Sequence, residues 1–329
     1  MTMTFAYDAP DGTADSDVLS WMQSEPSATY WALVDVALLG ASTFKTAARR
    51  HQWPVISALT NTPLEAFGEV APHLIAIHQG ADQRQEQIKQ LLQLTTGTPA
   101  LSWLRSAYPV RALQMLFGYL GKAQIQDRPK PVHIRFADTR ILPGLLNILS
   151  ANQQRRVLDI VQDWCWFDRY GHFHGQLVQH DSVAAVAMDS EAYLHLSTEQ
   201  FDQLFSDAEA DGMFYKLTLK RPELVPQQQR AAFRQRLAAS LSVAREMNLS
   251  TEEDRWLFVL LSLTYGDEFH SCEALVPMWN VVRKQGMGLR EQMQGWSAET
   301  LKTLTDFNAS ASPLTGLPIH NTKDQTQHD

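Results

Sequence analysis

The fold is decided by the stretch Tyr30-Trp31-Ala32-Leu33-Val34-Asp35-Val36-Ala37-Leu38. Apart from the acid at Asp35, its side chains are apolar on both faces of an extended strand. A run of this kind is typical of a strand whose sheet is covered on both sides. The sequence therefore predicts a buried central strand over residues 30–38.

Strands and helices alternate on the C-terminal side of this stretch. Short β-branched runs bounded by Pro or Gly predict strands, and apolar spacings of three and four predict helices. Strands are predicted at 53–59, 73–77 and 132–136, helices at 42–50, 84–94, 109–121, 138–149 and 150–161, and a hairpin at 164–168 and 172–178. We expect an α/β domain over residues 28–182, with a mixed sheet, flanking helices and a terminal hairpin.

After about residue 190 the pattern is helical throughout. Ser197 and Gln200 form a capping-box pattern, and Pro226 opens a long helix whose apolar stripe has spacings of three and four. We expect an all-α domain over residues 183–309. A flexible arm over residues 1–27 and a disordered tail over residues 310–329 complete the predicted organisation.

Composition restricts the class of protein. The 329 residues carry a formal net charge of −8, with 44% hydrophobic and 19% charged residues. This balance is ordinary for a globular protein, whereas a general nucleic-acid binder needs clustered Lys and Arg. The aromatic run at Trp164, Trp166 and Phe167 lies between Asp163 and Asp168, which favours packing over base stacking. We expect no nucleic-acid partner.

The termini and the cysteines bear on location. The chain starts without a basic segment followed by an apolar one, and it contains no run of 18 apolar residues. We therefore expect a cytoplasmic protein with no membrane partner. The two cysteines, Cys165 and Cys272, are too few for a disulfide scaffold, so we interpret them as buried thiols.

A search for catalytic motifs gives little. The sequence has no G-x-S-x-G, no phosphate-binding loop, no G-x-G-x-x-G and no H-E-x-x-H. We expect no catalytic residues, no cofactor and no metal. One alternative remains, since His172 and His174 lie two apart on a predicted strand and so share a face. With Asp168, His180 or Asp181 they would suit a metal-dependent enzyme, whereas the simpler interpretation is a solvated hairpin face.

A glycine-interrupted segment near the C-terminus is rich in Met and Trp. Such surfaces repack around different partners, and Trp is frequent in interface hot spots. Two interpretations stand, the core of a broken helix and a partner-binding surface. The candidate partner-binding residues are Met278, Trp279, Met287, Met293 and Trp296, together with Arg234 and Arg245 beside the helical stripe.

Several stretches resemble one known family. Tyr30–Asp35 is similar to the opening strand of the domain of unknown function 4123, and Arg135–Leu142 to its central strand-to-helix turn. Trp164-Cys165-Trp166 resembles the end of that domain, and residues 249–269 resemble the helical region that often follows it. The resemblance covers residues 28–180 closely and 190–270 more loosely. Ala137 and Thr139 depart from the family, which usually carries an aromatic residue and a proline there.

The resemblance implies an adaptor, or chaperone, of bacterial type VI secretion. Such a protein binds a toxic effector and promotes its loading onto the VgrG spike protein, without catalysis. An immunity-type protein that neutralises the toxin is a further alternative.

The signature residues also have a physical interpretation, mainly as fold determinants. We expect Asp138 to cap a helix that starts near Ile141, and Arg140 to pair with a carboxylate such as Asp35. The full signature set is Asp35, Arg135, Phe136, Asp138, Arg140 and Leu142.

Overall fold

The computed structural model of the chain describes residues 4–177, 193–285 and 288–311. Internal contacts divide the chain into two compact units, Met1–Arg236 and Leu237–Asp329. The first unit begins with a mixed α/β region, and the described chain from Thr198 onward is helical. This confirms the predicted fold class. The predicted domain limits stay a prediction, since the boundary at 182/183 and nearly all of the tail at 310–329 lie outside the described residues.

A six-stranded sheet with the order β2-β3-β1-β4-β7-β8 organises the first unit. Every pair of neighbouring strands in it is antiparallel. Its strands are β1 (Tyr30–Val34), β2 (Val55–Ser57), β3 (His73–Ala76), β4 (Leu101–Arg105), β7 (Asp163–Phe167) and β8 (Phe173–Leu177).

A second sheet of three strands has the order β6-β5-β9. Its strands are β5 (Lys122–Ile125), β6 (Val132–His133) and β9 (Leu194–Leu196). The β5/β9 pair is parallel and the β5/β6 pair is antiparallel. The predicted mixture of strand directions therefore occurs in this small sheet and not in the large one.

Both faces of the large sheet are buried, as the opening stretch predicts. All five residues of β1 are buried, with Trp31 and Leu33 in one apolar cluster and Tyr30, Ala32 and Val34 in the other. Strands β4 and β7 divide their side chains in the same way. The two apolar layers bury opposite faces because successive side chains of a strand alternate.

Helices cover these layers. The helices of the first unit are α1 (Ala14–Gln23), α2 (Val36–Leu39), α3 (Ala41–His51), α4 (Ala81–Thr95), α5 (Val110–Leu120), α6 (Leu142–Ile148), α7 (Ala151–Leu158) and α8 (Thr198–Lys220), with α9 (Arg230–Glu246) crossing into the second unit. The predicted capping box Ser197/Gln200 is formed, and Ser150/Gln153 forms a second one at the start of α7.

The structure shortens two predicted strands and adds one strand to the large sheet. The central strand ends at Val34, because Asp35 caps the short helix α2 instead of continuing the strand. The strand expected at 132–136 is only Val132–His133. Strand β4 was not predicted at all, although Leu101–Arg105 follows the breakers Gly97 and Pro99 and pairs with β1 over its whole length.

The predicted flexible arm is also wrong for the part that the structure describes. Helix α1 places Ala14, Val18 and Met22 on one face, four residues apart, and all three are buried against the sheet. Phe5 and Tyr7 are buried with Leu38 and Ala100. The acidic and small residues of this segment concealed a short apolar stripe.

The second unit has its own apolar core. Its helices after α9 are α10 (Glu252–Tyr265), α11 (Val276–Gln285), α12 (Leu289–Met293) and α13 (Ala298–Ala311). Phe258, Phe269 and Trp279 meet at ring-centroid distances of 4.9 to 6.2 Å. Among the described residues, none of the helices combines the length and the apolar composition needed to cross a membrane.

Candidate functional site

The strand-to-helix turn at residues 135–142 is held by one buried carboxylate. Asp138 is 1% exposed, and its Oδ1 accepts the backbone N–H of Arg140 at 3.0 Å. The Arg140 guanidinium donates to both carboxylate oxygens, from Nε to Oδ1 at 2.9 Å and from Nη2 to Oδ2 at 2.6 Å. This two-pronged, charge-assisted pair closes the turn.

The expected helix cap is corrected by this geometry. Helix α6 begins at Leu142, and the Asp138 side chain is bonded inside the preceding turn. It is the backbone carbonyl of Asp138 that accepts N–H groups of Ile141 and Leu142, each at 2.9 Å. Asp138 therefore shapes the entry to the helix without capping it.

The expected pairing of Asp35 is corrected as well. Its Oδ2 accepts Arg135 Nη2 at 2.9 Å, whereas Arg140 is committed to Asp138. Oδ1 of Asp35 accepts the Ala37 N–H at 3.1 Å and so caps α2. Burial raises the pKa of Asp35, and the neighbouring Arg135 opposes part of that shift. Arg135 thus joins the central strand to the turn.

The apolar members of the signature lie in the core. Phe136 stacks on Phe117 with the ring centroids 5.0 Å apart and an interplanar angle of 10°. Phe136 and Leu142 are both almost fully buried in the same cluster. These side chains have no surface with which to contact a partner.

A cleft of about 290 Å³ lies beside the turn, within the first unit. Its lining includes Tyr7, Arg140, Asp168, Arg169 and Arg234. Arg169 makes two bonds of 2.6 Å to the Asp211 carboxylate. Arg140 and Arg169 therefore each donate two hydrogen bonds to a buried or half-buried carboxylate. The residues around the cleft connect the N-terminal segment, the hairpin, α8 and the start of α9.

Tyr7 and Thr139 meet at the floor of this cleft. The Tyr7 hydroxyl lies 2.9 Å from Thr139 Oγ1. Burial raises the pKa of Tyr7 to about 12, so the phenol stays neutral at physiological pH. Sequence reasoning missed Tyr7, Arg169 and Asp211, because none of them stands in a recognisable motif.

The candidate Met and Trp residues lie largely in the core, which favours the first of the two interpretations of this segment, the core of a broken helix. Met278 and Trp279 are 9% and 4% exposed, and the Trp296 indole N–H contacts Met278 Sδ at 3.3 Å. Met293 and Trp296 are half-buried against the same cluster. Met287 lies outside the described residues. The four described side chains pack with Phe258, Phe269 and Leu275 in the core of the second unit.

The two candidate arginines are in different units. Arg234 lies in the first unit, where its guanidinium donates to the Asp207 backbone carbonyl and its Nε is 3.5 Å from Asp211 Oδ2. Arg245 is exposed on the part of α9 that belongs to the second unit. Arg234 is thus part of the cleft.

An exposed apolar face on α8 was not predicted. Phe205, Tyr215 and Leu219 are 64%, 45% and 53% exposed. At 100° per residue the three positions fall within an arc of about 80° around the helix, so they share one side of α8. We call these three residues the α8 face. In the sequence, these three residues appear as apolar side chains in the predicted helix that follows the Ser197/Gln200 capping box.

The predicted hairpin brings Asp168, His172 and His174 together. One potential ligand atom from each lies within 4.8 Å of the others. His180 and Asp181, the other polar residues noted near this hairpin, lie outside the described residues.

Comparison with known proteins identifies one family. The model of the family described as Domain of unknown function (DUF4123) matches residues 30–156. No curated protein matches the chain. No solved structure matches it either. The matched range contains the whole signature set and starts at the first residue of β1. This confirms the resemblance of the N-terminal region.

Proposed function

Since residues 30–156 form a DUF4123 domain, we propose that the protein is an adaptor that binds a type VI secretion effector and promotes its loading onto the VgrG spike protein. The matched domain is the observation that carries this proposal. In this proposal the protein acts in the cytoplasm by binding alone, without catalysis, cofactor, nucleic acid or membrane.

The signature residues support a scaffold role within that function. Asp35 and Asp138 are buried and paired with arginines, and Phe136 and Leu142 are core. Buried, paired charges fix one geometry and leave little for a partner to contact. The DUF4123 domain is therefore the common framework of our proposal, and effector recognition is assigned to the helical region.

The α8 face is the surface that we assign to the effector. Phe205 stacks on Phe201 with ring centroids 6.3 Å apart, so the exposed ring is supported from one side. The fourteen steps along the helix from Phe205 to Leu219 cover roughly 21 Å, a length suited to a partner helix or strand. Aromatic residues held in place this way are frequent interface hot spots.

Co-expression with the products of adjacent effector and spike genes, followed by pull-down, tests the proposal. We expect the chain to retain the effector and to recruit VgrG when the effector is present. A chain that retains neither protein contradicts the proposal. Deleting the gene separates the adaptor from an immunity protein, because loss of effector secretion marks the former and self-intoxication the latter.

Paired variants test the surface. The Phe205→Ala/Leu219→Ala double variant is expected to lose at least about tenfold in effector affinity, measured by calorimetry. Met115→Ala is the matched control, since Met115 is 58% exposed on α5. Equal affinities in the two variants would remove the α8 face from the proposal and leave the adaptor role standing.

A further inference from the structure

The hairpin between β7 and β8 holds one carboxylate in a fixed orientation. Asp168 Oδ1 accepts the backbone N–H groups of Tyr170 and His172 at 2.8 and 2.9 Å. The Asp168 N–H donates to the His172 carbonyl at 2.8 Å and closes the hairpin. These bonds occupy Oδ1 and set the direction of Oδ2.

Two imidazoles face that oxygen. His174 Nε2 is 2.9 Å from Asp168 Oδ2, and His172 Nδ1 is 3.6 Å from it. His174 is in β8 and His172 comes directly before its first residue, and both imidazoles lie beside the same carboxylate oxygen. Their side chains are 73% and 52% exposed, and that of Asp168 is 27% exposed, so an ion from solvent reaches all three.

The turn that carries these groups is rigid. Gly171 has φ of +85°, which a glycine adopts without strain. A Cβ there would lie 2.8 Å from Pro10 Cα, so the N-terminal segment packs directly on the turn. Preorganised ligands of this kind lose little conformational freedom when an ion binds.

We propose that Asp168, His172 and His174 form a binding site for a divalent transition-metal ion, with Zn²⁺ as its best-suited occupant. Zinc binds imidazole nitrogen and carboxylate oxygen at about 2.0 to 2.2 Å in tetrahedral geometry, which separates neighbouring ligand atoms by roughly 3.3 Å. The observed separations of 2.9 and 3.6 Å bracket that value.

The donor set also fixes the class of ion. Two imidazoles and one carboxylate suit Zn²⁺, Ni²⁺ or Cu²⁺, whereas Mg²⁺ and Ca²⁺ prefer oxygen ligands alone. Three protein ligands leave one tetrahedral position for water. This proposal does not rest on the adaptor function, since it depends only on the hairpin.

Titration of the tag-free full-length protein with Zn²⁺, followed by calorimetry in a buffer that does not chelate metals, tests the site. We expect saturable binding of one ion that the His172→Ala/His174→Ala double variant loses. Asp168→Asn, which keeps an oxygen for the turn, should weaken binding at least about tenfold. The fold is retained in the double variant because both imidazoles are exposed, and circular dichroism checks this.

His195→Ala is the matched control, since His195 is also an exposed histidine on a strand. It should bind Zn²⁺ as the unaltered chain does, and Mg²⁺ should give no heat of binding with either. Cobalt(II) replacing zinc should give the visible absorption of a tetrahedral site. The proposal is overturned if the unaltered chain shows no saturable binding, or if the double variant binds with the same stoichiometry and affinity.

Discussion

The turn around Asp138 and the cluster around Trp279 are both buried, but they hold the chain together by different means. In the turn, a carboxylate that is 1% exposed is bonded to a backbone N–H and to a guanidinium. In the cluster, Trp279 packs against Phe258 and Phe269, and its indole N–H has no acceptor among the described residues. An unusual residue type in a sequence therefore signals burial as readily as it signals binding.

The same contrast separates the buried from the exposed candidates for partner binding. The sequence analysis names charged signature residues and Met or Trp residues as candidates, yet most of these side chains are buried. The α8 face is not predicted from the sequence, yet its residues Phe205 and Leu219 are 64% and 53% exposed. Variants in the two regions test whether the polar turn and the apolar cluster stabilise the chain by these different means.

Trp279→Ala should have the largest effect. Removing this buried ring leaves a cavity, and the free energy of unfolding should fall by about 3 to 5 kcal/mol, measured by urea denaturation. Trp279→Phe should cost much less, because it keeps an aromatic ring and removes the indole N–H that lacks an acceptor. A cost below about 1 kcal/mol for Trp279→Ala would show that the ring is not part of a packed core.

Asp138→Ala should destabilise the protein by about 3 kcal/mol, because it leaves the Arg140 charge unpaired and opens the turn. This cost is at the lower end of the range for breaking a buried ion pair, because the Arg140 side chain is 19% exposed and water partly solvates its charge. Arg290→Ala is the control, because its pair with Glu253 is exposed on both sides and should contribute less than about 1 kcal/mol. Equal costs for the two variants would mean that the Asp138 network is no stronger than a surface pair.

Gly171→Ala should cost about 2 kcal/mol, because alanine is strained at a φ of +85° and its Cβ meets the backbone of Pro10. Gly212→Ala is the matched control with the opposite sign. No atom lies within 4 Å of its Cβ position in α8, so alanine should stabilise that helix slightly. Thermal unfolding of the two variants measures both effects, and a neutral Gly171→Ala would show that the N-terminal segment does not pack on the hairpin.

Asp35→Asn should change the pH dependence of stability. Burial raises the pKa of Asp35 in the folded state, so its contribution to stability is full below the ordinary pKa of Asp, about 3.9, and falls as pH rises through the raised value. We therefore expect the stability of the variant relative to the unaltered chain to increase between pH 4 and pH 7. A series of urea denaturation curves at different pH values measures this difference.

Asp11→Asn should show the reverse trend in the same urea series. Hydrogen bonds from Thr13 lower the pKa of Asp11, so its contribution is present above the ordinary pKa and is lost as pH falls. Parallel pH profiles for the two variants would contradict the assignment of a raised pKa to Asp35.

The local features of this structure follow from the order of neighbouring amino acids. The doubly apolar run at residues 30–34, the two capping boxes, the hairpin and the change to helices from Thr198 onward all depend on neighbours within a few positions. The resemblance to the DUF4123 family also came from short stretches in order. Periodicity and capping report such features because they act over one or two turns of chain.

Contacts between distant side chains depend on the folded chain as a whole. Arg135 and Asp35 are 100 residues apart in the chain, and Tyr7 and Thr139 are 132 apart. No local pattern encodes such pairings. The sequence therefore predicts the wrong arginine as the partner of Asp35, and a flexible arm where the structure has α1. Burial was decided in the same way, because a helix stripe packs inward at Trp279 and faces solvent at Phe205 according to what the rest of the chain places beside it.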